Sequence, residues 1–204
     1  MVSISGVIMS KNEGDMLVEA LEQLSRFCDD IVVIDVSSTD NTREVCAKFK
    51  KVHVYERAPA LHEKDREFAF SKMKGDWGFL LDPDERLDEQ LIAGLPKLAE
   101  QAERDGVVVI SIPRRFMLPE RRQLKCVYPD YQTRFFKKGH LQFAVEPHGK
   151  PTIINGGHLY LRGKGDIMHH EKIPFFRDRA KFARWVKWEV TFRLHERYYF
   201  MDHL

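Results

Sequence analysis

Four short apolar runs, each followed by a helix-like segment and a turn, fill the first half of the chain, and this alternation constrains the fold more than any other feature. Ser3 to Ser10 reads as a buried strand, and Leu17, Leu21, Leu24 and Phe27 then recur on one helical face. Ile31 to Val36 is apolar, too short for a helix and rich in β-branched residues. Ser37, Ser38, Thr39 and Asp40 offer capping oxygens to a second helix carrying Val45, Ala47 and Phe49. Val52 to Tyr55 reads as a third strand, and Glu63 to Met73 as a helix stopped by Lys74-Gly75. Trp77 to Leu81 is a fourth strand; beyond it Leu87, Leu91, Leu95 and Leu98 recur at helical intervals despite Gly94 and Pro96. Such a chain predicts an α/β fold: a doubly wound, mostly parallel sheet flanked by helices, with ligands held outside the carboxyl ends of its strands. Val107 to Ile112 reads as a further buried strand, followed by short extended pieces between Tyr131 and Met168 and a C-terminal helix from about Phe175 to Tyr199. Without a repeat or linker, residues 1–204 read as one domain, with a ligand-binding half at 1–105 and a second half at 106–204.

Composition narrows the setting. No stretch approaches the roughly 18 apolar residues that span a bilayer, and MVSISGVIMSK has no basic region ahead of its apolar run, so the expectation is a cytoplasmic chain starting at Met1, at most peripheral to a membrane. Cys28, Cys46 and Cys126 form no CxxC pair and read as buried thiols. The net charge of +2 hides an asymmetry: residues 1–102 hold 13 Lys and Arg against 20 Asp and Glu (net −7), and residues 103–204 hold 20 against 11 (net +9). The second half thus favours an anionic partner, although a solvated basic face gives the same count.

The strand ends collect the polar chemistry: Asn12 and Glu13 after the first, Asp35 after the second, Asp82 and Asp84 after the fourth. Carboxylates gathered there suit a hard divalent cation, Mg²⁺ or Mn²⁺, that bridges to the phosphate oxygens of a substrate. The plainer alternative makes Asp84, Glu85 and Asp88 acids favoured by the dipole at a helix N-terminus. The loop after the first strand, Ser10-Lys11-Asn12-Glu13-Gly14, has neither a GxGxxG nor a Walker lysine, which argues against a dinucleotide dehydrogenase or P-loop enzyme.

The ordered set SISGVIMSKNEGD, IVVIDVSSTDNT, REFAFSKMKGDWGFLLDPDERL and YQTRFFKKG…VEPHG resembles glycosyltransferase family 2, over roughly residues 3–170. That resemblance implies a GT-A fold and a nucleotide-sugar donor, a UDP-sugar first among them. It implies that Asp35 contacts the nucleobase, that Arg66 lies near the donor phosphates, and that Asp82 and Asp84 form the DxD motif gripping ribose and metal, Asp84 as the more direct ligand. His169, before the last helix, would complete the metal site. The chain departs from the family pattern at Glu67, where many members have Asn, and at Gly149, where a Glu follows the histidine. Glu146 and His148 are therefore both candidates for the base of an inverting hexosyl or pentosyl transfer.

Basic residues Arg114, Arg115, Arg121, Arg122, Lys125, Lys137 and Lys138, with Arg177, Arg179, Lys181, Arg184 and Lys187 near Phe182, Trp185 and Trp188, suggest an anionic acceptor: a surface glycan, a lipid-linked intermediate or DNA. The aromatic stripe reads equally as core packing of the last helix. Two other functions remain open at this point. A nucleotidyltransferase needs the same strand-end carboxylates, and a non-catalytic module for nucleic acid or another anionic polymer needs only the basic half.

Overall fold

The computed structural model describes residues 2–58, 62–117, 123–125, 128–143 and 151–170, with backbone alone at 62–64 and 124. In chain order the elements are β1 (Ile4–Ser10), α1 (Gly14–Ser25), β2 (Asp30–Asp35), α2 (Thr42–Cys46), β3 (Val52–Glu56), α3 (His62–Lys72), β4 (Trp77–Leu80), β5 (Glu85–Leu87), α4 (Glu89–Asp105), β6 (Val107–Met117), β7 (Gln123–Leu124), β8 (Asp130–Lys137), β9 (Leu141–Gln142), β10 (Thr152–Ile153), β11 (Gly157–Tyr160) and β12 (Ile167–His170).

Among the described residues the main sheet runs β3-β2-β1-β4-β8-β6-β12-β5, with β7 and β11 also on β6, and β9–β10 forms a separate pair. The expected parallel α/β sheet is the block β3-β2-β1-β4. Beyond it β8 is antiparallel to both β4 and β6, so the second half extends the sheet with mixed pairing. Strand order reverses at β1, which lies between β2 and β4 and marks the crevice where such sheets bind ligands.

Every residue of β1 and β2 is buried, because both faces of the sheet are covered. On one face Leu17, Ala20, Leu21 and Leu24 of α1 join Leu91, Leu95 and Ala99 of α4 over Ile8, Phe79 and Phe135. On the other, Ala69 of α3 and Met73 cover Val7, Ile34, Leu80 and Phe136. Trp77 and Phe135, both fully buried with ring centroids 4.7 Å apart, hold β4 to β8. Each such side chain contributes about 1.5–3 kcal/mol through burial. Gly75 lets the chain entering β4 press against β1: a Cβ there would stand 2.7 Å from the Ser5 backbone nitrogen.

Three helix boundaries differ from expectation: α1 ends at Ser25 and α2 at Cys46, so Phe27, Ala47 and Phe49 lie beyond them, and α4 starts late. Leu87 has the spacing of the α4 stripe but belongs to β5, where it pairs with Ile167 of β12. The helix starts two residues later, because Asp88 caps it by accepting from the Leu91 N–H at 2.8 Å. Its other end is closed by Gly106 in the left-handed conformation, φ 68°. The expected C-terminal helix, 175–199, lies outside the described residues. Among the described residues no helix is long and apolar enough to cross a membrane.

Candidate functional site

The carboxyl ends of β1, β2 and β4 lie side by side, with Ser10 opposite Asp35 in the β1–β2 register and Val7 opposite Leu80 in β1–β4. Just past β1 the chain turns at Asn12, whose φ of 56° is tolerated by Asn better than by most residues. Its N–H donates to Ser38 Oγ at 2.9 Å and its side-chain oxygen accepts from the Thr39 N–H at 2.7 Å. The Glu13 carbonyl accepts from Met16 and Leu17, and the Gly14 N–H donates to Asp40 Oδ2 at 3.1 Å. Asn12 thus holds the loop after β2 against the start of α1.

Asp35 is fully buried at the end of β2. Its Oδ1 accepts from the Ser38 N–H at 3.1 Å, while Oδ2 has Arg43 Nε 3.5 Å away and no hydrogen-bond partner among the described residues. The neighbouring Ser10 Oγ is also buried without one. Both atoms can pair with a polar ligand in the crevice, which would relieve the roughly 1–3 kcal/mol cost of leaving a buried polar group unsatisfied.

Past β4 the two aspartates of Asp82-Pro83-Asp84 part company. Asp82 is paired with Arg134 of β8, which also donates to Glu85 Oε1 at 2.7 Å. Burial pushes the Asp82 carboxyl upward, but Arg134, Arg66 and Arg114 outweigh it and leave it below the usual carboxylate range. Arg66, on α3, therefore acts on Asp82 electrostatically, and its guanidinium lies 4.6 Å over the Phe143 ring.

Asp84 points elsewhere. Its Oδ2 lies 3.0 Å from His169 Nε2. Pairing of β12 with β5, which sets His169 opposite Glu85, and the His170 N–H donated to the Asp84 carbonyl at 2.8 Å bring this histidine across 85 residues of sequence. Phe116 supports the imidazole edge-to-face at 5.1 Å.

Among the described residues no three His, Cys, Asp or Glu side chains form a ready metal cluster, so Asp82, Asp84 and His169 do not converge as one ligand set. Asp84 and His169 fit a cation as a pair. The two side chains share a hydrogen bond at 3.0 Å, and a carboxylate oxygen beside an imidazole nitrogen would suit an ion that takes only one or two protein ligands and completes its shell with water and substrate phosphate.

Of the expected site residues, the structure brings together Asp82 with Arg66, and Asp84 with His169; Asn12 and Glu13 sit at the loop beside Asp35. Glu146 and His148 lie outside the described residues. The expected basic acceptor surface is changed in its described part: Arg114 pairs with Glu85 and Asp130, Arg115 with Asp166, and Lys137 with Glu103, while Lys138 donates to the Met73 carbonyl. Arg114, Arg115 and Lys137 thus have acidic partners within the fold, whereas Lys138 meets a neutral carbonyl and Lys125 is exposed. Sequence reasoning passed over Arg134 and weighed Glu85 only as an acid at a helix N-terminus, whereas Glu85 lies in β5. A charged residue directly before Phe135 and Phe136 in a strand was the available signal, since an inward arginine needs buried acids.

The sequence of lipopolysaccharide core biosynthesis glycosyltransferase LpsC of Rhizobium meliloti is 32% identical over 172 residues, 81% of this chain and 62% of LpsC. A Rickettsia prowazekii glycosyltransferase, RP128, is 26% identical over 71% of this chain and 49% of its own length. The chain thus spans about half to three-fifths of the curated relatives it matches. Among solved structures, S. aureus TarS 1-349 in complex with UDP-GlcNAc superposes with a TM-score of 0.62 at 15% identity, over 84% of this chain and 59% of that one. Glucosyl-3-phosphoglycerate synthase from Mycobacterium tuberculosis, in complex with Mn²⁺, UDP and glucosyl-3-phosphoglycerate, does so with 0.55 at 15%, over 88% and 76%. These two likenesses establish the fold. The family profile described as glycosyl transferase family 2 matches residues 5–164, and the chain belongs to that family.

Proposed function

We propose that this chain transfers a sugar from a nucleotide-diphosphate donor, a UDP-sugar, to an acceptor hydroxyl, with Mn²⁺ or Mg²⁺ at Asp84 and His169. The observation that carries the reading is the Asp84–His169 pair, 3.0 Å apart at the crevice end of the sheet and assembled by strand pairing rather than by sequence proximity. The UDP-GlcNAc complex of TarS and the Mn²⁺ and UDP complex of the mycobacterial synthase support the choice of donor and ion.

In this reading Asp35 accepts from the nucleobase through Oδ2, with the half-exposed Arg43, only 3.5 Å away and weakly held, giving way. Asp82 accepts from a ribose hydroxyl, and Arg66 faces the diphosphate. A cation held by Asp84 and His169 would neutralise charge developing on the nucleoside diphosphate. Glu146 or His148 takes the proton of the attacking hydroxyl, and inversion follows from attack opposite the leaving group. The acceptor is a lipid-linked or surface glycan, in keeping with the name of LpsC.

The test is release of nucleoside diphosphate from a panel of UDP-, GDP- and dTDP-sugars, with and without Mn²⁺ or Mg²⁺. Turnover of one donor that stops on chelation and is lost in Asp84→Ala supports the proposal. Metal-independent turnover retained in Asp84→Ala sinks the cation assignment, and no turnover or nucleotide binding with any donor sinks the whole reading.

A further inference from the structure

Behind the site lies an alternating chain of charges, Asp82–Arg134–Glu85–Arg114–Asp130, contributed by four different parts of the sheet. Glu85 is its hub and is wholly buried, and the Arg134 side chain is only 5% exposed. Glu85 Oε1 accepts from Arg134 at 2.7 Å and from Arg114 at 3.1 Å, while Oε2 accepts from the Asp82 N–H at 3.1 Å. The Glu85 N–H in turn donates to the Asp82 carbonyl at 2.9 Å. Arg134 Nη2, already on Glu85, donates also to Asp82 Oδ2.

Stability alone does not account for this arrangement. Replacing a buried ion pair by well-packed apolar residues is neutral or stabilising in many proteins, because desolvating two charges costs several kcal/mol per ion. The network instead fixes one thing: the backbone and carboxylate of Asp82 are gripped at once from β5 and β8. Yet the Asp82 side chain stays 33% exposed, so its carboxylate can still accept from a ligand hydroxyl. A carboxylate held by a guanidinium is also a poor competitor for the cation, which agrees with Asp84 and not Asp82 reaching His169.

We propose that Arg134, anchored by Glu85, is a positioning residue that aims the Asp82 carboxylate at a ribose hydroxyl of the donor nucleotide. This rests on the donor reading above, in which Asp82 meets the ribose; neither Arg134 nor Glu85 touches the donor.

The test is calorimetric binding of UDP and of its 2′-deoxy and 3′-deoxy analogues, in Mn²⁺, to the native chain and to Asp82→Asn, Arg134→Lys and Arg134→Gln. A hydrogen bond to a charged acceptor is worth about 1.5–3 kcal/mol, so native protein should prefer UDP over one deoxy analogue by roughly 10-fold or more. In Arg134→Gln that preference collapses towards the value in Asp82→Asn, and Arg134→Lys, which keeps one charged donor, restores part of it. Because Arg134→Gln leaves Glu85 less compensated, the paired variant Glu85→Gln/Arg134→Gln removes both charges and guards against loss of folding. A preference for ribose kept at the native level in Arg134→Gln, or in the paired variant, overturns the inference while leaving the donor reading intact. Failure of the native chain to bind UDP overturns both.

Discussion

Asp84→Asn separates the cation's role from the fold's. The Asp84 and His169 side chains are 31% and 14% exposed. A partly exposed pair of this kind contributes about 0.5–1 kcal/mol to stability, which for a chain near 200 residues moves Tm by at most about 4 °C. Ligand binding acts on a larger scale. UDP with Mn²⁺ at about 100 times Kd adds about 2.7 kcal/mol, or roughly 5–11 °C. Thermal unfolding of native protein should therefore show little change with UDP alone and a rise of that size with UDP and Mn²⁺ together. In Asp84→Asn the unliganded Tm stays within about 4 °C of native, but the metal-dependent rise disappears. Persistence of the full rise in the variant refutes the assignment of the cation to Asp84. A much larger drop in the unliganded Tm refutes the estimate that this pair is marginal to the fold.

Three further outcomes follow from the geometry. Asp88→Ala removes the α4 cap and also the acceptor, Oδ2, of the Asp166 N–H at 2.8 Å; at about 1 kcal/mol for the cap and 1–3 for the orphaned N–H, Tm should fall by at least about 4 °C, and an unchanged Tm would show that neither bond matters. Gly75→Ala drives a Cβ to 2.7 Å from Ser5 N and 2.9 Å from Ile4 C, both backbone atoms of the β1 region that cannot swing aside, so urea unfolding should show a loss of about 1–3 kcal/mol or more; a smaller loss means β1 and β4 move apart cheaply. Burial holds His158 below its ordinary pKa. Its contribution to stability is thus fully present above about pH 6.5 and falls as pH drops through the lower folded value. Urea midpoints between pH 7.5 and 5 should decline less in His158→Gln than in native protein, by a small margin because His158 is only partly buried; a steeper decline contradicts the sign.

Much of the first half was legible because its information is local. Central parallel strands buried on both faces appear as unbroken apolar runs such as Ile31–Val36, and helices between them carry a stripe such as Leu17-Leu21-Leu24, so β1 to β4 and α1 to α4 fall close to where periodicity puts them. The strand-end positions of Asp35, Asp82 and Asp84 follow from the same reading. Leu87 shows where it ends: helical spacing with Leu91 was real, but β12, arriving from 80 residues away, claimed it for a strand.

The partners of the site residues were decided by tertiary structure alone. Two residues apart in sequence, Asp82 and Asp84 invite the expectation of one shared ion; β8 brings Arg134 to the first and β12 brings His169 to the second, so their partners differ. In the second half, Arg114, Arg115 and Lys137 likewise became counter-charges once Glu85, Glu103, Asp130 and Asp166 were folded against them. Periodicity reports which side of an element meets the core, because burial acts on each residue through its own neighbours. Charge pairing acts between residues that only the folded sheet brings within about 4 Å, and a carboxylate's role depends on which cation arrives there.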